Sequence, residues 1–192
     1  MRLLAMNPRR FAYFDAEARA VAGVAVSVFE PTDNRMGYYN RRGAVYETPQ
    51  GDALHPVVML ASVINLDALK GSTGPEIRRD AVPKDRLYAY VFAHEIGHAL
   101  HDLAIIRDGM NESAEFAVTA RNEMYADRFA WRAVMGDEPL PYRQGGKVYA
   151  ESVDRAIKKL GHALGKFGHP NRGEPLPDSW KLKEKPVFHE AA

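Results

Sequence analysis

"YVFAHEIGHALHDL", residues 90–103, is the stretch where the sequence commits to helix. From about Lys84 onward, apolar residues recur at helical spacing, and one helix is predicted from Asp85 to about Ile106. On a wheel of about 100° per residue, His94 and His98 lie about 40° apart and one turn, roughly 6 Å, along the axis. Two imidazoles so placed converge on one ion with bonds of about 2.0–2.1 Å. Glu95 falls about 100° round from His94, beside the ion, where a base for a metal-bound water would sit. Ala89, Phe92, Ile96, Leu100 and Leu103 form the opposite face, and Leu87, Val91 and Ile105 share the histidine side. A helix apolar on both flanks is central, so the histidines should be enclosed. Gly97 lacks a side chain and admits a close neighbour. The HExxH pattern arises by chance in on the order of one chain in a hundred of this length, so its context must decide.

Working outward, the preceding half of the chain reads as mostly β. Residues 8–22 suggest a short helix, and "VAVSVFEP" (24–31) a strand that Pro31 stops. "MGYYNRRGAVYE" (36–47) reads as two short strands around a turn at Arg41–Gly43, and "PVVMLASVINL" (56–66) as a central strand. "KGSTGPEIRRDAVP" (70–83) is rich in breakers and reads as loop. A second helix is expected from about Ser113 to Met135. "GDEPLPYRQGG" (136–146) interrupts, and a third helix carries Val153, Ile157, Leu160, Leu164 and Phe167 as an apolar stripe. Strands followed by helices imply α+β: a small, mostly antiparallel sheet packed on the histidine helix. The expected layout is one domain over 1–168 and an extended, Pro- and charge-rich tail over 169–192.

At 192 residues, with 46% hydrophobic and 27% charged residues, the composition is that of an ordinary soluble globular protein. A net charge of +1 gives no case for a polyanion partner. With no cysteine there is no disulfide, thiol nucleophile or Cys-based zinc site. No signal-like or membrane-spanning run is present, so a cytoplasmic location is expected.

A zinc site with an open vertex needs a third protein ligand. His101 stands where the HExxHxxGxxH class has glycine, and Ala104 where it has histidine, so that class does not apply. His101 itself lies about 10.5 Å along the axis from His94, too far for comfortable joint ligation; it reads better as a cap or substrate contact. In "FAVTARNEMYADRFAWRAV" (116–134), Glu123 and Asp127 share a stripe with Phe116, Ala120, Ala130 and Val134, while Arg121, Tyr125, Arg128 and Arg132 take the far side, where the arginines should face solvent. Two carboxylates within an apolar stripe need a cation or strong donors. Either arginines elsewhere in the core supply it, or Glu123 ligates a metal and Asp127 accepts the N–H of a ligating histidine.

HExxH followed by ExxxD on the next helix resembles the gluzincin metallopeptidases, and "NEMYADRFAWRAVM" (122–135) resembles the ImmA/IrrE-type zinc metallopeptidases within them. The resemblance covers roughly residues 35–135 and is specific in the two helices. The chain after Val134 departs from that family's usual "LLMP" ending, and no helix-turn-helix module, which some relatives carry, is recognisable. The resemblance implies a zincin-like fold and a Zn2+ ion held by His94, His98 and Glu123. Glu95 would be the general base of a peptide-bond hydrolysis, and a partner regulatory protein the substrate. Tyr142, Tyr149 and His169 are unranked as a further electrophile; Tyr125 and His162 point the wrong way, and His55 is better read as structural. The alternatives are a non-catalytic zinc-binding interaction domain, and a nucleic-acid module built on Arg41, Arg42, Arg121, Arg128 and Arg132.

Overall fold

The computed structural model of the chain describes residues 2–48, 51–67, 69–100 and 112–166. The tail, His101, His169 and the extension of the histidine helix to Ile106 lie outside them. The architecture is α+β, with four α-helices and two small sheets among the described residues.

Strand β1 (Leu3–Ala5) leads into helix α1 (Pro8–Ala22). Pro8 suits a first helical turn because its missing N–H would have no partner there. Asn7 caps that turn, its side chain accepting the Arg10 N–H at 2.8 Å. Strand β2 (Ala25–Phe29) follows and pairs in parallel with β4 (Gly51–Ala61), which occupies the middle of a three-stranded sheet. Val57 and Val58 of β4 point to opposite faces and are both fully buried, so the sheet is covered on both sides there. The sheet is therefore mixed rather than mostly antiparallel.

Two expectations for the strands are corrected. Residues 36–47 are not a hairpin: β3 (Gly37–Thr48) is one strand, antiparallel to β4. Its register slips between Asn40 and Ala44, which face Val57 and His55. The extra residues bulge out, closed by Asn40 donating to the Gly43 carbonyl at 3.0 Å. Gly43 takes φ 82° and presses on the His55 backbone, a place no side chain could occupy. The run 56–66 is not one strand either. Beyond Ala61 the neighbours β2 and β3 have run out, so the chain bends at Ser62 and pairs afresh, β5 (Val63–Asn65) lying antiparallel to β1.

The breaker-rich segment after β5 contains two short 3-10 turns, Arg79–Ala81 and Lys84–Arg86, the second leading into α2 (Leu87–Leu100). Helix α2 lies between the sheet and α3 (Glu112–Met135), and α4 (Gly146–Lys166) packs on the other side of α3. Every residue of α2 from Leu87 to Gly97 is buried, as a helix apolar on both flanks requires. Phe92 stacks on Phe14 of α1 at 4.5 Å between centroids, and the Tyr88 hydroxyl donates to the Ala61 carbonyl at 2.9 Å. These contacts fix the axial position of the histidine helix against the end of β4. Among the described residues, no helix is long and apolar enough to cross a membrane.

Candidate metal centre

Gly97 sets the distance between the two helices that make the site. A Cβ there would come within 2.9 Å of the Ala126 Cα, so α3 approaches α2 backbone to backbone. That approach brings Glu123 to both histidines. His94 Nε2 and His98 Nε2 are 3.1 Å apart. Glu123 Oε1 is 3.3 Å from His98 Nε2, and Oε2 is 3.6 Å from His94 Nε2. One atom from each of the three side chains lies within 4.8 Å of the others, and the two imidazole nitrogens stand close to the ~3.3 Å that tetrahedral coordination with bonds of about 2.0–2.1 Å gives its ligand atoms. His94, His98 and Glu123 form a group that could hold a metal ion.

For His94 Nε2 to offer a lone pair inward, its proton must sit on Nδ1. That atom lies 2.9 Å from Asp127 Oδ1. The contact is close but off the N–H axis, so Nδ1 has no aligned hydrogen bond. Asp127 is fully buried and also accepts the Tyr90 hydroxyl at 3.0 Å and the Arg79 Nε at 3.0 Å. Neither Tyr90 nor Arg79 was singled out from sequence. Tyr90 had a signal, being one turn before His94 on the same face of α2. Arg79 had none, because it lies in an aperiodic loop 48 positions from Asp127.

The structure contains both the arginine that one reading of the buried carboxylates asks for and the His94–His98–Glu123 group that the other asks for. Arg79 is the core arginine, bonded to Asp127 twice and to Glu123 Oε2 at 2.9 Å, and Glu123 still meets both imidazoles. One guanidinium faces three carboxylates, counting Glu95; when all are ionised, a divalent cation cancels the remaining charge.

Burial alone would raise the pKa of Glu123, but the His98 hydrogen bond and the charges of His94, His98 and Arg79 outweigh it and bring it to about 2. Asp127 is likewise lowered against its own burial, mainly by His94 and Arg79. His98 is raised: burial opposes its charge, but Glu123, Glu95 and Asp127 more than compensate. Glu95 behaves oppositely. Burial pushes its pKa up further than the histidines and Arg79 pull it down, and among the described residues no side chain donates to it. Gly37, at the start of β3, lies against it; a Cβ there would stand 3.2 Å from Glu95 Cγ.

The outer face of α3 differs from the expected solvent face. Arg128 turns inward and grips the fully buried Glu76 with bonds of 2.6 and 2.8 Å. Arg121 pairs with Asp154 of α4 at 2.7 Å. With both committed to ion pairs, the basic patch imagined from the sequence loses two of its five members. Tyr125 packs on Phe129. Phe116, expected in the buried stripe, is 64% exposed. Tyr142 pairs its backbone with Ile77, and Tyr149 lies under the Arg143 guanidinium. The chain matches no family model, no curated protein and no solved structure.

Proposed function

We propose that the chain is a zinc-dependent endopeptidase of narrow specificity, with Glu95 as general base and a partner regulatory protein as its substrate. The observation that carries this reading is the convergence of His94, His98 and Glu123, with a buried carboxylate beside them, Glu95, to which no side chain donates among the described residues. The resemblance of both motif helices to the ImmA/IrrE-type peptidases supports it, and membership of that family is part of the proposal.

His94, His98 and Glu123 would hold zinc, which when bound supplies a Lewis acid able to polarise a carbonyl and acidify water toward a pKa of about 7. Glu95 takes the proton of the attacking water and hands it to the leaving amine nitrogen. Its raised pKa suits both halves of that transfer, since a base that must later act as acid works best near the ambient pH. Asp127 lies 2.9 Å from the Nδ1 side of the His94 ring, where it would accept that N–H once the ring turns to ligate. β3 is one of the two outer strands of its sheet and begins at Gly37 against Glu95, so an extended peptide added to that edge would run past the base.

A non-catalytic zinc domain is the competing reading. A structural centre has no use for a buried carboxylate without a donor, which favours the enzyme. Glu95→Gln decides between them. New peptide termini in a host lysate treated with zinc-loaded wild type should vanish with a chelator and with the variant, while the variant keeps its zinc. Turnover of a substrate found this way should fall by about 10²-fold or more. Identical termini from both proteins would remove Glu95 as base and leave the interaction domain.

A further inference from the structure

Arg79 is fixed from both sides. Its loop is closed by an antiparallel bridge between Thr73 and Arg78 and by the Gly74 N–H on the Ile77 carbonyl at 2.9 Å. Gly74 rests on Asp127 Oδ2, where any Cβ would overlap the oxygen. Glu76 ties the same loop to Arg128, the residue after Asp127 on α3, and the Arg78 N–H reaches the Pro141 carbonyl at 2.8 Å. The guanidinium is thus held in place, 23% exposed, with Nε and one terminal nitrogen forked across Asp127 and that same terminal nitrogen on Glu123 Oε2.

We propose that Arg79 is a positioning residue for the metal centre: it reserves Glu123 Oε2 for the protein, leaves Oε1 to the ion beside His98, and keeps both carboxylates in place when no ion is bound. This rests on the metal-centre reading above. Three donors from one planar fork reach two carboxylates, which fixes the orientation of each; a lysine ammonium is a point donor and cannot do the same. Without the fork, Glu123 is free to rotate about its terminal torsion and to offer the ion both oxygens or neither. Asp127, fully buried, would lose its compensating charge. Charge alone argues the other way, because a cation beside the ligands repels a second cation and its removal should tighten binding. The sign of the effect therefore separates positioning from mere charge.

The test is chelator competition for Zn2+, together with the visible spectrum of the Co2+-loaded protein, on wild type, Arg79→Lys and Arg79→Met. Zinc binding should weaken by about ten- to a hundred-fold in both variants, more in Met than in Lys. The cobalt bands should shift, reporting altered carboxylate coordination. Arg79→Lys keeps the charge, so the metal-free variant should still melt cooperatively and carries the comparison if Arg79→Met does not fold. Zinc bound as tightly as by wild type, or more tightly, with an unchanged cobalt spectrum overturns the proposal. Wild type that binds neither ion overturns the metal-centre reading itself.

Discussion

Glu95 and Glu123 are both glutamates beside the same histidines, yet their carboxyls are driven in opposite directions. Glu123 meets His98 and Arg79 directly and titrates at about 2, whereas Glu95 has burial as its main influence and is raised. On the proposed reading, one stays ionised and holds a cation while the other exchanges a proton. Gly37 keeps Glu95 where it is: a methyl there would press on Val91 Cγ1 at 2.9 Å and on Glu95 Cγ at 3.2 Å. Gly37→Ala is expected to leave zinc content unchanged and to lower turnover by about tenfold or more, as small misplacements of reacting groups do. Equal kcat/KM for the two proteins would show that the contact does not position the base. At this scale the convergence of His94 and His98 is readable from sequence because i, i+4 spacing on a helix is geometry. Arg79 is not, since a loop carries no period and its partners lie 44 and 48 positions away.

Helices α2 and α3 form the site only because they touch at Gly97 and Ala126. Any side chain at 97 meets backbone, which cannot swing aside as a side chain could. Gly97→Ala should cost about 1–3 kcal/mol in thermal or denaturant unfolding, typical of overpacking. It should also weaken zinc binding, because Glu123 rides on the displaced helix. A variant as stable as wild type with full zinc affinity would mean that the two helices have slack between them. Both helices were legible, as was the buried α2, because their apolar residues follow one period over three or more turns. The β half was read less well for a definite reason. Arg41–Gly43 has the residues of a hairpin turn, and only its pairing with β4 makes it a bulge. Residues 56–66 are mostly apolar, with β-branched pairs at Val57–Val58 and Val63–Ile64, and no glycine or proline after Pro56 marks the bend at Ser62; the loss of both neighbours beyond Ala61 does. Arg128 shows the same limit on a helix, its outward wheel position overridden by a buried carboxylate from the loop.

For the whole molecule, the site links metal, protons and folding. In the metal-free protein, Glu123 is lowered from 4.5, so its stabilising contribution is present above about pH 4.5 and is lost as pH falls toward 2. His98 is raised from 6.5, so its contribution is present below 6.5 and is lost as pH rises through its folded-state value. Zinc needs that imidazole neutral, so protons compete with zinc from above pH 6.5 downward. The melting temperature of the metal-free protein should therefore fall between pH 6 and pH 8. The increment gained on adding saturating zinc should grow over the same interval. A zinc increment independent of pH would contradict His98 as a ligand. Zinc bound per chain in purified wild type and in Glu123→Ala, with affinity from chelator competition, tests whether His94, His98 and Glu123 hold the ion. One zinc per wild-type chain is expected, with an affinity at least about a hundred-fold weaker in the variant. Equal zinc content and affinity in the two proteins, or none in wild type, would contradict that ligand set.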